Sequence, residues 1–158
     1  MRRAGLVTGL LVAAAVTSGC GSDGPPTVAF TSAVGTLSTG PAQYCDVAVT
    51  SCANHPESVI KLAVPPGQPL RISVPDQIAS TPWHVVFSYR SPGSDTALDG
   101  RSPVFPPHQR RDYALTLPDP GDQLLTAQVQ QFGGGQPTLD AQGEPSFPVR
   151  GSWVLATG

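Results

Sequence analysis

Three histidines and three cysteines are the residues of this 158-residue chain best suited to metal or covalent chemistry. His55, His84 and His108 come from separate segments with no close pair. A zinc site draws ligands from short, regular spacings. His55 precedes Pro56, His84 stands on the polar parity of an alternating run, and His108 follows Pro106-Pro107. The only methionine is Met1, so a soft copper site lacks its usual ligands too. The expectation is no metal and no cofactor, with the histidines on loops and surface.

Cys45 and Cys52 are an even pair with six residues between them. That spacing is wrong for a C-x-x-C redox motif and suits a disulfide in an oxidising compartment. Closing an eight-residue loop stabilises by about 2.5 kcal/mol in the chain-entropy account. The bond would staple a local hairpin or turn. Cys20 stands apart and has a different use, taken up below.

Nucleophilic and phosphate chemistry find little support. No G-x-S-x-G elbow occurs. Ser80 or Ser88 with His84 and Asp76 makes a triple of a kind any exported domain offers. Gly133-Gly134-Gly135 is followed by neither Lys-Ser nor a helical pattern, so it reads as a flexible hairpin loop and not a phosphate cradle. Arg110-Arg111, with Arg101 and His108, is the one modest basic cluster. It suits an acidic glycan or phospholipid head group, or one arginine pairs with Asp112 or Asp99. Trp83, Phe105, Phe132 and Phe147 each lie close to Pro or Gly. Loops at sandwich ends commonly carry binding sites. The candidate binding surface is therefore Trp83, Phe105, His108, Arg110, Arg111 and Phe132, with no catalytic residues.

The elements that position these groups are strands. Val28, Phe30 and Val34 share one parity, as do Ile60, Leu62 and Val64 before Pro65-Pro66-Gly67. Leu70, Ile72 and Val74 alternate with Arg71 and Ser73. Trp83, Val85, Phe87 and Tyr89 alternate with His84, Val86 and Ser88. Tyr113, Leu115 and Leu117 follow, then Leu125, Ala127 and Val129, and last Trp153 and Leu155. Strict alternation between turn signals predicts antiparallel strands with one buried face. Gly 17 and Pro 18 exclude long interior helices. The fold expected over residues 27–158 is all-β, an antiparallel immunoglobulin-like β-sandwich of seven or eight strands. Trp83 fits that fold's core tryptophan, while Cys45 and Cys52 are too close in sequence to be its inter-sheet bridge. A partly open barrel is the alternative.

Ahead of this body, Arg2-Arg3 precede the uncharged run Ala4 to Val16. At about 1.5 Å per residue the run is too short to span a bilayer as a helix. It reads as a signal-peptide helix over residues 1–19. Val16-Thr17-Ser18-Gly19-Cys20 resembles a bacterial lipobox, with Thr17 where Leu is usual. Cys20 is thus the expected lipidation site, and residues 20–26 the tether. Without residues 1–19 the chain keeps seven basic and eleven acidic side chains. That balance excludes a nucleic-acid role. It also leaves membrane attachment to the lipid, whose multiple chains anchor stably.

Several runs carry a resemblance. They are Gly40-Pro41-Ala42-Gln43-Tyr44-Cys45-Asp46, Cys52-Ala53-Asn54-His55-Pro56, Ser80-Thr81-Pro82-Trp83-His84-Val85-Val86-Phe87-Ser88-Tyr89, Gly100-Arg101-Ser102-Pro103-Val104-Phe105 and Leu124-Leu125-Thr126-Ala127-Gln128-Val129-Gln130-Gln131-Phe132-Gly133. Together they resemble a family of short actinobacterial lipoproteins classed as a domain of unknown function. Eight Arg against one Lys fits a high-GC genome. The resemblance implies an envelope location and no assigned activity. The expected function is a membrane-anchored, extracytoplasmic and non-enzymatic module that binds an envelope protein or cell-wall ligand. A small lipid carrier with a hollow core and an envelope enzyme are the alternatives.

Overall fold

The computed structural model describes residues 24–139, 141, 143 and 145–158. The expected signal segment, Cys20 and most of the expected tether lie outside the described residues. The strands run β1 (Val28–Ser32), β2 (Gly35–Thr39), β3 (Gln43–Cys45), β4 (Cys52–Asn54), β5 (Ile60–Lys61) and β6 (Leu70–Ser73). A single helical turn, α1 (Asp76–Ala79), leads to β7 (Trp83–Arg90), β8 (Leu98–Arg101), β9 (Asp112–Leu115) and β10 (Gln123–Phe132). The chain ends with β11 (Thr138–Leu139), β12 (Pro145–Ser146) and β13 (Val149–Ala156). Eight of these strands have four residues or more, in keeping with the expected count.

Two sheets form. The small one has the order β2-β1-β6-β9 and the large one β4-β3-β13-β10-β7-β8, with β5 also on β13. Placing β6 and β9 in one sheet and β7, β10 and β13 in the other is the strand exchange of an immunoglobulin-type sandwich. Every pairing is antiparallel except the two-residue match of β5 with β13. That parallel pair and α1 were not legible in the alternation, because each is too short to show a period.

Both sheets feed one core. Val28, Phe30, Leu70, Ile72 and Leu115 come from the small sheet, and Trp83, Val85, Leu124, Ala127, Val129, Trp153 and Leu155 from the large one. Ile78 of α1 closes one end. Trp83 and Trp153 are fully buried. Each indole N–H donates to a backbone carbonyl, Trp83 to Arg110 at 3.2 Å and Trp153 to Pro26 at 2.8 Å. This satisfies the polar edge that a buried tryptophan carries.

Two parity expectations change. Val34 is 59% exposed, because Ala33-Val34 is the two-residue turn of the β1–β2 hairpin and not strand. In β10, Leu124 is buried and Leu125 half-buried, because the pairing with β7 shifts register between Leu124 and Thr126. A bulge adds one residue and turns the preceding side chains over.

The registers fix which ends meet. The start of β7, the end of β10, the start of β13 and the end of β3 share one pole. The start of β1, the end of β6 and the start of β9 face the same way, with α1 between the sheets. We call this the α1 pole.

Candidate functional site

The six residues expected to form one binding surface are split by the structure. Trp83 is fully buried and Phe105 is 7% exposed. They pair through backbone bonds in both directions, 2.8 and 3.2 Å, and their rings stand 4.7 Å apart. Tyr113 extends the stack, 5.3 Å from Phe105. These two are core residues, because Phe105 extends the β8 edge alongside β7 and faces inward with Trp83. Phe132, 8% exposed, lies in a different place, between His84 and Phe147.

His108, Arg110 and Arg111 are exposed, as expected. Arg110 spreads over the Phe105 ring, 5.7 Å from its centre. Arg111 pairs with Asp76 of α1, and not with Asp112 or Asp99. His108 takes a left-handed backbone at φ 62°, and its amide donates to Ala79 at 2.7 Å. This segment thus braces α1.

Residues that do come together lie on the outer face of the large sheet. His84 projects outward from β7, yet it is only 8% exposed. Its ring packs on Phe132 at 4.9 Å, and Phe132 packs on Phe147 at 5.7 Å. Cover comes from the segment after β10, which folds back as β11 and β12 instead of hanging as a loop. Gly133 makes room for that return. A Cβ there would collide with Val49, and the Gly133 amide donates to Pro148 at 2.9 Å. An open recess of about 580 Å³ results, walled by His84, Arg101, Gln130, Phe132, Phe147 and Val149. A second recess of about 560 Å³ continues along the same face past Arg101, over Val86, Ser88, Asp99, Thr126 and Gln128. The two recesses share Arg101 as a wall, and we refer to them together as the furrow.

Inside the furrow His84 Nε2 donates to Gln130 Oε1 at 2.8 Å. Nδ1 is buried and has no partner among the described residues. Burial, chiefly, lowers the His84 pKa below its ordinary 6.5. The Gln130 bond opposes this, and the nearby Arg101 charge adds to it. The ring is therefore neutral at neutral pH. Ser88 and Thr126 share a 2.7 Å hydrogen bond further along. His84 was expected at the surface because its parity faces out. Alternation reports the direction of a side chain, not what covers it.

The candidate nucleophilic hydroxyls are engaged elsewhere. Ser102 Oγ accepts from the Val85 amide and donates to the Pro103 carbonyl. Ser80 donates to Gln77, and Asp76 holds Arg111. Contrary to the expectation that the chain holds no Ser-x-x-Lys motif, Ser58-Val59-Ile60-Lys61 has that spacing, which some acyl-transfer enzymes use. No side-chain hydrogen bond joins Ser58 to Lys61 among the described residues. Among those residues no three His, Cys, Asp or Glu side chains converge as metal ligands. His55 instead contacts Glu57 at 3.2 Å.

Cys45 and Cys52 form the expected disulfide, facing each other across the β3–β4 hairpin. Asp46 orders its loop, accepting from the Thr50 amide at 2.7 Å and hydroxyl at 2.6 Å. Those bonds, the hydroxyl one first, hold the Asp46 pKa below the usual carboxylate value. Val47 O accepts from the Gly134 amide at 3.1 Å, which ties this loop to the start of the covering segment.

A β-sandwich with a furrowed outer face is the class that fold and site define. Residues 22–158 match the family described as "Protein of unknown function (DUF2771)", and the chain belongs to it. Uncharacterised proteins of Mycobacterium bovis and Mycobacterium tuberculosis are each 30% identical over 93 residues, covering 59% of this chain and 54% of theirs. The chain thus spans about half the length of the curated relatives it matches. No solved structure matches it.

Proposed function

We propose that this chain is a membrane-anchored extracytoplasmic lipoprotein, held by lipid on Cys20. Its sandwich serves as a non-enzymatic accessory module that binds another envelope protein or a cell-wall ligand. The observation that carries the binding role is the furrow across β7, β8, β10 and β13. It combines a polar pair, an aromatic wall and an arginine on a rigid sheet, as ligand sites usually do. The Cys45–Cys52 bond supports the exported setting, since such bonds persist in oxidising compartments. The carrier reading is less well supported, because eighteen buried side chains fill the space between the sheets.

The test places a photoreactive residue at Thr126, in the furrow, or at Ser38, on the outer face of the small sheet. Illumination of living cells should give a discrete, saturable adduct from position 126 and none from 38. Equal yields from both faces, or none from either, would contradict the furrow as the working surface.

A further inference from the structure

We propose that the α1 pole rests on the membrane that holds the Cys20 lipid, with Val47, Val104 and Phe147 entering its interfacial layer. The inference builds on the anchored reading above. Chain length is its first support. Pro26 is buried, and its carbonyl is held by Trp153, so it is a fixed point of the domain. Six residues lead from Cys20 to Pro26. Fully extended they reach about 20 Å. β1 starts at the α1 pole, so the chain enters the domain from that side. Val149 already lies four residues beyond Trp153 in the same direction, about 13 Å of strand. Most of the reach is used in drawing level with the strand ends. The loops beyond them then meet the bilayer surface.

Those loops carry side chains suited to that contact. Of eight large exposed hydrophobic residues among the described ones, Val47, Val104 and Phe147 sit beside strand ends at the α1 pole, on three separate segments. They are 64%, 48% and 48% exposed. Val34 marks the opposite pole, with the Ser91-Pro92-Gly93-Ser94-Asp95 and Pro118-Asp119-Pro120-Gly121-Asp122 turns. Val47 is held out by the Asp46–Thr50 bonds and the disulfide, so little ordering is left for contact to impose. Aliphatic and aromatic tips set beside an exposed arginine, here Arg110, are the composition that settles at a lipid interface. The sheets then stand on end, and the furrow opens sideways toward neighbours in the envelope.

Tryptophan fluorescence can test this, because Trp83 and Trp153 are fully buried and give a constant background. The full lipidated chain is reconstituted into phosphatidylcholine–phosphatidylglycerol vesicles, with or without brominated acyl chains. Val104→Trp, Phe147→Trp and Val34→Trp are compared, each first shown to melt as the parent does. All three should sediment with vesicles. Bromination should then cost Val104→Trp and Phe147→Trp a large share of their added emission and leave Val34→Trp unchanged. Sedimentation without quenching at positions 104 and 147, or with equal quenching at 34, overturns the membrane-facing pole and leaves the anchor standing. Failure of the lipidated chain to sediment overturns the anchored reading, and this inference with it.

Discussion

The outer faces of the two sheets are both polar, yet they place very different demands on their side chains. On the small sheet Thr31 and Thr36 share a 2.9 Å bond in the open, where water can replace either partner. On the large sheet His84 and Gln130 make a similar bond, half-buried beside Phe132, where water reaches it less freely. A polar group under cover must be satisfied by a neighbour or bear its desolvation penalty. Residues of equal polarity thus carry unequal stakes, set by what folds over them.

The contrast can be broken from the large sheet's edge inward. Replacing Cys45→Ala together with Cys52→Ala removes the staple from the β3–β4 hairpin. We expect a loss of about 2.5 kcal/mol in urea unfolding under oxidising conditions. The parent protein in reductant should fall by a similar amount. If neither change moves the midpoint, the edge hairpin is held by its ladder alone.

A sharper comparison sets Gln130→Ala against Thr36→Ala. The first leaves a half-buried imidazole N–H without its acceptor, at about 1 kcal/mol. The second removes an exposed hydroxyl, within about 0.5 kcal/mol of no effect. Equal losses would mean the two faces are energetically alike. The smallest effect is in pH. His84 has a lowered pKa in the folded state, so below its ordinary value of 6.5 the unfolded chain binds the proton better. Stability is then full above that value and declines as pH falls through it toward the folded pKa. Unfolding free energies of the parent and His84→Phe, measured from about pH 7.5 down to about pH 5, should diverge on the acid side. Parallel curves would show that His84 is not the group responsible.

Much of the sandwich was legible because each strand has one wet and one dry side. Leu70, Ile72, Trp83, Val85, Ala127 and Val129 alternate and are buried as that pattern requires. The disulfide was legible from spacing and parity of count. The site was not. Trp83 fitted the core tryptophan of the sandwich, as its burial bears out, yet it and Phe105 also looked like loop aromatics because they neighbour Pro82 and Pro106, and prolines also bound strands. His84 and Gln130 come from strands paired across a long separation, and nothing in either segment names the other. The run from Gly133 to Pro148 has a loop's composition. Its return sets Gly133 against Val49 and Gly135 against Pro148, close contacts that neither glycine's neighbours in sequence announce.

The last strand carries a further consequence, for the order of assembly. β13 receives β10, β3 and β5, with Gln43 meeting Ser152 and Ile60 meeting Leu155. The β3–β4 hairpin and β5 therefore have no link to the rest of the large sheet until β13 arrives. Such distant pairings close slowly. A chain that emerges N-terminus first would keep this edge open until β13 has been made.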